Sequence, residues 1–118
     1  MSLFQLGEFK LHSGEVSPFK IECDALTDDD WDTLGYLAAQ KAPKVRDVVG
    51  IPRGGLKFAE AIRRHVTIDP DTIYRIVVDD VLTTGNSFEP YKDLRTFGIV
   101  AFARAQPAPW IFPIFQLK

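Results

Sequence analysis

Cysteine and histidine are scarce in this chain of 118 residues, which contains one cysteine, Cys23, and two histidines. A single cysteine cannot close an intramolecular disulfide, and no Cys/His spacing in the sequence suits a zinc ion. We therefore expect a reducing compartment, the cytoplasm, for this protein. Cys23 is predicted to be a small buried hydrophobe and not a reactive thiol.

Long apolar runs and an excess of one charge are also missing. No stretch approaches the roughly 20 apolar residues that span a bilayer, and "MSLFQLGEFK" lacks the basic and apolar regions of a secretion signal. The formal net charge is −2, which disfavours nucleic acids and anionic membranes as partners. We expect a soluble protein whose phosphate binding, if it has any, is local.

The first two thirds of the chain alternate between strand and helix patterns. Residues 8–23 predict an antiparallel hairpin. Thr27, followed by three aspartates, predicts the start of a helix. The segment 45–51 ("VRDVVGI") predicts a buried strand, 54–66 a helix and 72–80 ("TIYRIVVDD") a second buried strand. This β-α-β order predicts an α/β fold with a parallel sheet.

The last third predicts elements that complete the sheet. "SFEPYKDLRTF" predicts a short helix that ends near Gly98, and "GIVAFARA" predicts a further strand. The tail "PAPWIFPIFQLK" predicts a cap on the sheet edge or an interface, because proline excludes a central strand. We expect one domain in three parts: an N-terminal hairpin over residues 1–26, an α/β core over 27–105 and a C-terminal edge segment over 106–118.

The most informative stretch is "IVVDDVLTTGNS", where a buried strand leads into acids and then hydroxyls. In an open α/β sheet, ligands bind beyond the carboxyl ends of the strands. The hydroxyls, the turn that Gly85 permits and the dipole of the predicted helix that follows are the parts of a phosphate cradle. No lysine lies between Arg75 and Lys92, which excludes a nucleoside-triphosphate loop.

Asp79 and Asp80 come directly before this loop. Carboxylates accept hydrogen bonds from vicinal hydroxyls or support a hydrated Mg2+, so acids and loop together predict a sugar-phosphate site. The alternative is a capped turn with no ligand, since acids and hydroxyls are common in loops.

The same stretch resembles the phosphoribosyl-pyrophosphate (PRPP) signature of type I phosphoribosyltransferases. "KLHSGEVSPFKIECDAL" is similar to the opening of the orotate phosphoribosyltransferases, and "VVGIPRGG" resembles the diphosphate loop of the family. The resemblance follows the order of the family along most of the chain. It implies a small Rossmann-like parallel sheet flanked by helices, with an N-terminal hairpin.

The resemblance also implies roles for individual residues. Asp79 and Asp80 would contact the ribose hydroxyls of PRPP, with Mg2+ held near them mainly through ligand and water. Arg53 would face the diphosphate; its alternative is a solvent-facing arginine in an ordinary turn. The loop that would bind the 5′-phosphate consists of Thr83, Thr84, Gly85, Asn86 and Ser87. The diphosphate loop consists of Pro52, Arg53, Gly54 and Gly55.

The base pocket would lie in the hairpin, at His12, Ser13, Phe19 and Lys20. His12 stands where the orotate enzymes carry lysine and Lys20 where they carry an aromatic residue, so the base is left open. His12 is equally explained as a solvated strand residue. Between His65 and Ile73 the chain is too short for the long basic lid of the full enzymes, which normally closes over diphosphate.

Three functions follow as hypotheses. The first is a compact phosphoribosyltransferase that joins a nucleobase such as orotate to PRPP and releases diphosphate. The second is a protein that binds PRPP or a nucleotide without catalysis, and the third is a flavodoxin-like FMN carrier, which would be yellow. The aromatic tail, with Trp110, Phe112 and Phe115, adds the expectation of a homodimer.

Overall fold

The computed structural model describes residues 2–10 and 16–117, and it confirms the predicted α/β fold class. The strands are β1 (Phe4–Lys10), β2 (Val16–Ile21), β3 (Lys44–Val45), β4 (Val48–Gly50), β5 (Thr67–Ile68), β6 (Arg75–Leu82), β7 (Thr96–Ala103) and β8 (Ile111–Gln116). The helices are α1 (Asp28–Lys41) and α2 (Gly55–Arg63), with short 3-10 helices at Cys23–Ala25 and Glu89–Tyr91. Strands β4, β6, β7 and β8 form, in that order, a parallel sheet.

Helix α1 begins with a reciprocal cap, as its sequence predicts. The Thr27 hydroxyl accepts a hydrogen bond from the Asp30 amide at 3.1 Å, and the Asp30 carboxylate accepts one from the Thr27 amide at 2.9 Å. Two otherwise unpaired amides are thereby satisfied. The helix buries Trp31, Leu34 and Ala38 against α2 and the sheet.

The central strands are apolar because both of their faces are buried. Ile76 and Val78 of β6 pack in the cluster that contains the two helices, whereas Val77 packs in a second cluster on the other face with Val100 and Phe88. Parallel pairing brings the carboxyl ends of β4, β6 and β7 to one edge of the sheet.

Two predicted elements are wrong in detail. The segment 45–51 is not one strand, because the chain turns at Arg46 and Asp47. As a result β3 pairs with β5 in a separate two-stranded sheet, and only β4 joins the main sheet. The helix predicted between the hydroxyl loop and Gly98 is a single 3-10 turn, Glu89–Tyr91, with a proline in it. Pro90 has no amide hydrogen to donate within a helix. Gly98, the predicted end of the helix, lies inside β7.

The N-terminal hairpin is confirmed, and the C-terminal segment forms a strand. Strands β1 and β2 pair antiparallel, and the residues between them, 11–15, lie outside the described part of the chain. Strand β8 forms the outer edge of the main sheet, where Pro113 pairs in register with Val100. An edge strand tolerates proline because its outer side has no ladder to complete.

Neither helix of the described ranges, 2–10 and 16–117, is long and apolar enough to cross a bilayer.

Candidate functional site

A cavity of about 850 Å³ lies between the hairpin and the carboxyl edge of the main sheet. Three segments that are distant in sequence meet there: the N-terminal hairpin, the turn between β4 and α2, and the end of β6 with the loop that follows it. The predicted site residues that line the cavity are Pro52, Arg53, Gly54, Asp79, Asp80, Thr83, Ser87 and Lys20. The structure therefore brings the predicted acids, diphosphate loop and hydroxyl loop together.

The acid pair lies inside β6, since the strand continues to Leu82 and does not end at the acids. The Asp79 carboxylate accepts a hydrogen bond from the Asp80 amide at 2.9 Å, and the Asp80 carboxylate accepts one from the Val81 amide at 2.7 Å. The Asp79 residue is only 8% exposed. Among the described residues neither carboxylate forms an ion pair with lysine or arginine.

Asp79 and Asp80 place two carboxylates side by side, and burial of Asp79 disfavours a negative charge there. Burial, followed by the hydrogen bond and the charge of the neighbouring Asp80, raises the pKa of Asp79 to about 8. Two adjacent carboxylates in a partly dry site cannot both ionise freely, so they retain a proton at neutral pH. A cation or a set of hydroxyl donors would favour the ionised pair.

The turn between β4 and α2 presents backbone to the same place. A β-carbon on Gly54 would lie 2.3 Å from the Asp80 carboxylate, and one on Gly55 would lie 2.4 Å from the Val78 carbonyl oxygen. Only glycine permits the close approach to backbone at Gly55, whereas a side chain at Gly54 would displace the Asp80 carboxylate. No side chain caps the start of α2 at Gly54.

The hydroxyl loop is held at its far end by a buried aromatic ring. Thr83 and Ser87 line the cavity, while the Thr84 hydroxyl accepts a hydrogen bond from the Asn86 amide at 3.3 Å and Gly85 has a φ of +87°. The next residue, Phe88, is 1% exposed and packs in the second apolar cluster. With only a 3-10 turn after it, the loop has no helix dipole behind it, contrary to our prediction.

Arg104 is a site residue that the sequence analysis missed. It follows β7, lines the cavity and donates hydrogen bonds to the Ser17 hydroxyl at 2.5 Å and to the Phe19 carbonyl at 3.2 Å. Its guanidinium lies 3.9 Å from the centre of the Phe19 ring. A polar residue at the carboxyl end of a buried strand is the same signal that identified Asp79, and it would have found Arg104.

The predicted base-pocket residues are only partly tested by the structure. Phe19 lies beneath the Arg104 guanidinium, and the Lys20 ammonium lines the cavity while pairing with Glu22 at 3.1 Å. His12 and Ser13 lie outside the described residues. The hairpin side of the cavity is therefore basic, with Lys10 as a further lining residue.

Cys23 lies close to the acid pair but is not a reactive group. Its side chain is partly buried and packs against the helix-side core. Burial, followed by the negative charge of Asp80, raises the pKa of the thiol well above its ordinary value. The thiol stays protonated at neutral pH, in agreement with the prediction of a small hydrophobe.

Comparisons with known proteins agree with the fold. The orotate phosphoribosyltransferase of Pyrobaculum calidifontis is 32% identical to this chain over an alignment of length 108. The alignment covers 70% of this chain and 56% of that relative. The crystal structure of orotate phosphoribosyltransferase from Aeropyrum pernix superposes with a TM-score of 0.73 at 21% identity, over 98% of this chain and 88% of the other.

A second solved structure shows the same fold. The orotate phosphoribosyltransferase of Mycobacterium tuberculosis, in complex with Fe(III) dicitrate, superposes with a TM-score of 0.65 at 18% identity over 97% of this chain and 89% of that one. No family model matches the chain. The fold and the relatives together show that the chain belongs to the type I phosphoribosyltransferase family, with orotate phosphoribosyltransferases among its relatives. It spans just over half, 56%, of the length of the curated relative.

Proposed function

We propose that this protein binds PRPP or a nucleoside 5′-monophosphate in the cavity at the carboxyl edge of the sheet. One observation carries the proposal: the Asp79–Asp80 pair, the Arg53 turn and the hydroxyls of Thr83 and Ser87 line a single cavity. A phosphoribosyl ligand needs all three, because it carries a 5′-phosphate, vicinal hydroxyls and, in PRPP, a diphosphate. The donors and acceptors of the cavity match these groups in kind.

The reaction that fits this site is transfer of the phosphoribosyl group to a nucleobase. A ring nitrogen of the base would form a bond to C1 of the ribose as the bond from C1 to the diphosphate oxygen breaks. The diphosphate leaves with the bonding electron pair, and the base loses its N–H proton to solvent. Arg53 would stabilise the charge on the leaving diphosphate, because this permanently charged side chain lines the cavity. No covalent intermediate on the protein is needed.

Mg2+ fits this site as an ion bound mainly through the ligand. The described residues contain no group of three or more histidine, cysteine or acidic side chains that could hold a metal. Asp79 and Asp80 are oxygen donors of the kind Mg2+ prefers, with the remaining positions left to water and ligand oxygens. When bound, Mg2+ would neutralise charge on the diphosphate.

The base that best suits the cavity is an acidic one such as orotate. Lys10, Lys20 and Arg104 place positive charge on the hairpin side of the cavity. A carboxylate on the base would add a charge-assisted partner to these groups, whereas a neutral purine would not. We propose a homodimer and a cytoplasmic location as well.

A binding protein without turnover is the second candidate, and the connection between α2 and β6 favours it. This connection spans residues 64–74 and contains β5, which pairs with β3 and not with any element at the cavity. Family members close a long lid over the diphosphate from this part of the chain. A site that stays open to water would bind the ligand and stabilise the departing diphosphate poorly.

Isothermal titration of PRPP with Mg2+ tests the binding step. In the Asp79→Asn/Asp80→Asn variant we expect about 100-fold weaker binding, since each lost charge-assisted hydrogen bond is worth about 1.5 kcal/mol. The Asp28→Asn/Asp29→Asn variant makes the same two substitutions at the start of α1, outside the cavity, and should bind as the wild type does. No heat and no thermal stabilisation by PRPP in the wild type would refute the proposal.

Turnover is measured separately with PRPP, Mg2+ and orotate by following diphosphate release. Release that depends on orotate would establish the transferase. Tight PRPP binding with no release for orotate, uracil or any purine base would establish the binding protein instead. Flavin absorbance in the purified protein would instead support the third hypothesis, a flavodoxin-like FMN carrier.

A further inference from the structure

Three arginines lie together at the amino edge of the main sheet, opposite the cavity described above. Arg75 is the first residue of β6, Arg95 directly precedes β7 and Arg46 lies two residues before β4. The backbone ties these positions to one another: the Arg75 amide donates to the Arg95 carbonyl at 2.9 Å, and the Ile76 amide donates to the Asp47 carbonyl at 3.1 Å. We call Arg46, Arg75 and Arg95 the arginine edge.

The three positions are neighbours because their strands are parallel. Adjacent strands lie about 4.8 Å apart, so three consecutive strand starts are spread over about 10 Å. The sheet order places β6 between β4 and β7. A row of guanidinium groups with this spread can engage several oxyanions of one ligand at once.

The positive charge of the arginine edge is only partly compensated. In the described ranges Arg75 pairs with Asp47 at 3.3 Å, and neither Arg46 nor Arg95 has an ion-pair partner. Asp93 is the nearest acid in sequence to Arg95, but its carboxylate accepts a hydrogen bond from the Arg95 backbone amide at 2.8 Å. Asp93 also lines the cavity next to these arginines, so its carboxylate offsets one of the four positive charges there and leaves the lining cationic.

The arginine edge opens into a cavity of about 460 Å³ with an apolar wall. Lys92 adds a further cation to the rim. Val49, Val77 and Tyr91 form part of the lining, so the cavity joins a charged rim to an apolar surface that includes one aromatic ring. Small-ligand sites commonly combine apolar walls with a few convergent polar groups.

We propose that this cavity binds a small oligophosphate, either free or as part of a nucleotide, at a site separate from the phosphoribosyl cavity. Arginine suits this chemistry because its planar fork donates two parallel hydrogen bonds to a phosphate and keeps its charge at every physiological pH. Several linked phosphates match a row of arginines better than one phosphate does. The net charge of −2 argues against a long nucleic acid, which needs a broad basic surface.

The test uses inorganic tripolyphosphate, titrated without Mg2+ into the full chain. We expect the Arg46→Gln/Arg95→Gln variant to bind it about tenfold more weakly or worse than the wild type, because two charge-assisted contacts are lost. The Lys41→Gln/Lys57→Gln variant removes the same charge at exposed positions that do not line this cavity, and it should bind as the wild type does. Thermal melting of each variant reports whether it is folded.

Two further arms separate this site from the phosphoribosyl cavity. An Arg53→Gln variant should keep tripolyphosphate binding at the arginine edge, and the Arg46→Gln/Arg95→Gln variant should keep its affinity for PRPP with Mg2+. ATP as a second probe distinguishes the source: tighter binding than tripolyphosphate indicates a nucleotide on the apolar wall, and equal binding indicates a free oligophosphate.

Several results would overturn the proposal. These are the absence of binding by both probes at millimolar concentration, equal binding by the Arg46→Gln/Arg95→Gln variant, and equal weakening in the Lys41→Gln/Lys57→Gln variant. Binding of a 20-nucleotide RNA with none of the small probes would overturn it too, in favour of a nucleic-acid surface.

Discussion

The two edges of the main sheet carry opposite chemistry. Strand β6 shows this within eight residues, since it begins at Arg75 and carries Asp79 and Asp80 toward its other end. In a parallel sheet all strand starts meet at one edge and all strand ends at the other. Polar residues at the two ends of one strand therefore belong to different sites, and their charges are not to be summed.

Burial separates the two edges as much as charge does. Asp79 is 8% exposed, whereas the side chain of Arg75 is 49% exposed and pairs with a carboxylate that is similarly open. Electrostatic interactions weaken in contact with water, so the same change of charge has a larger effect at the buried carboxyl edge. Variants at that edge should accordingly show the largest effects.

Alanine substitutions of the two adjacent glycines at the carboxyl edge have the largest expected effects. Together they should distinguish a loss of stability from a loss of PRPP binding. Gly55→Ala places a β-carbon against the Val78 carbonyl, which is backbone and cannot move aside. We expect a loss of about 3 kcal/mol in the free energy of unfolding, measured by urea denaturation. Gly54→Ala instead meets the Asp80 side chain, which can move, so it should cost less stability while weakening PRPP binding about 100-fold.

The Gly54→Ala and Gly55→Ala variants act as controls for each other. If both lost the same stability, the Asp80 carboxylate would be as rigid as the backbone. If Gly54→Ala bound PRPP normally, the acid pair would not touch the ligand.

The pH dependence of stability between pH 5 and pH 8 should come from Asp79, since the lowered pKa values of Glu22 and Asp32 act at more acidic pH. The raised pKa of Asp79 means that the folded state holds a proton that the unfolded chain has already lost above about pH 4. The contribution of Asp79 to the free energy of unfolding is therefore greatest below pH 4 and is lost as the pH rises to about 8. Urea denaturation at pH 5 and pH 8 should show this decline in the wild type and a flatter profile in Asp79→Asn.

Ligand binding should follow the opposite course. PRPP with Mg2+ favours the ionised pair, so binding at pH 6.5 should release protons, measurable by titration in buffers of different ionisation enthalpy. An Asp80→Asn variant, in which the neighbouring charge is gone, should release fewer. An unchanged proton release in that variant would show that the two carboxylates do not share a proton.

The smallest expected effect lies where the hairpin meets the sheet. The Ser17 hydroxyl accepts a hydrogen bond from Arg104 and donates one to the Phe19 carbonyl at 2.7 Å. Ser17→Ala should cost about 1 kcal/mol of stability in urea denaturation and weaken orotate binding more than PRPP binding. Exposed Leu94→Ser, a change remote from these contacts, should alter neither. An equal loss for both ligands would mean that the hairpin supports the whole cavity.

Much of the fold follows from local patterns. The cap at Thr27 and the apolar runs around Val77 and Val100 each determine their element through short-range chemistry, and the structure contains all three elements. The tail, expected only as a cap or an interface, forms the strand β8. The helix predicted after Ser87 is reduced to the 3-10 turn Glu89–Tyr91, and parallel pairing of Thr96 with Arg75 begins β7 where the last turn of that helix was expected. Periodicity alone does not weigh such pairing against helix propensity.

The sequence by itself determined the acid pair, the hydroxyl loop and the diphosphate turn as candidate site segments, because each is a run of neighbouring residues with its own chemistry. Only the tertiary structure decided that Arg104 joins the hairpin to this cavity and that Arg46, Arg75 and Arg95 line up at the opposite edge. Arg104 and its hairpin partner Ser17, for example, are 87 positions apart in the chain. Their meeting depends on strand order and register, which are properties of the packed sheet.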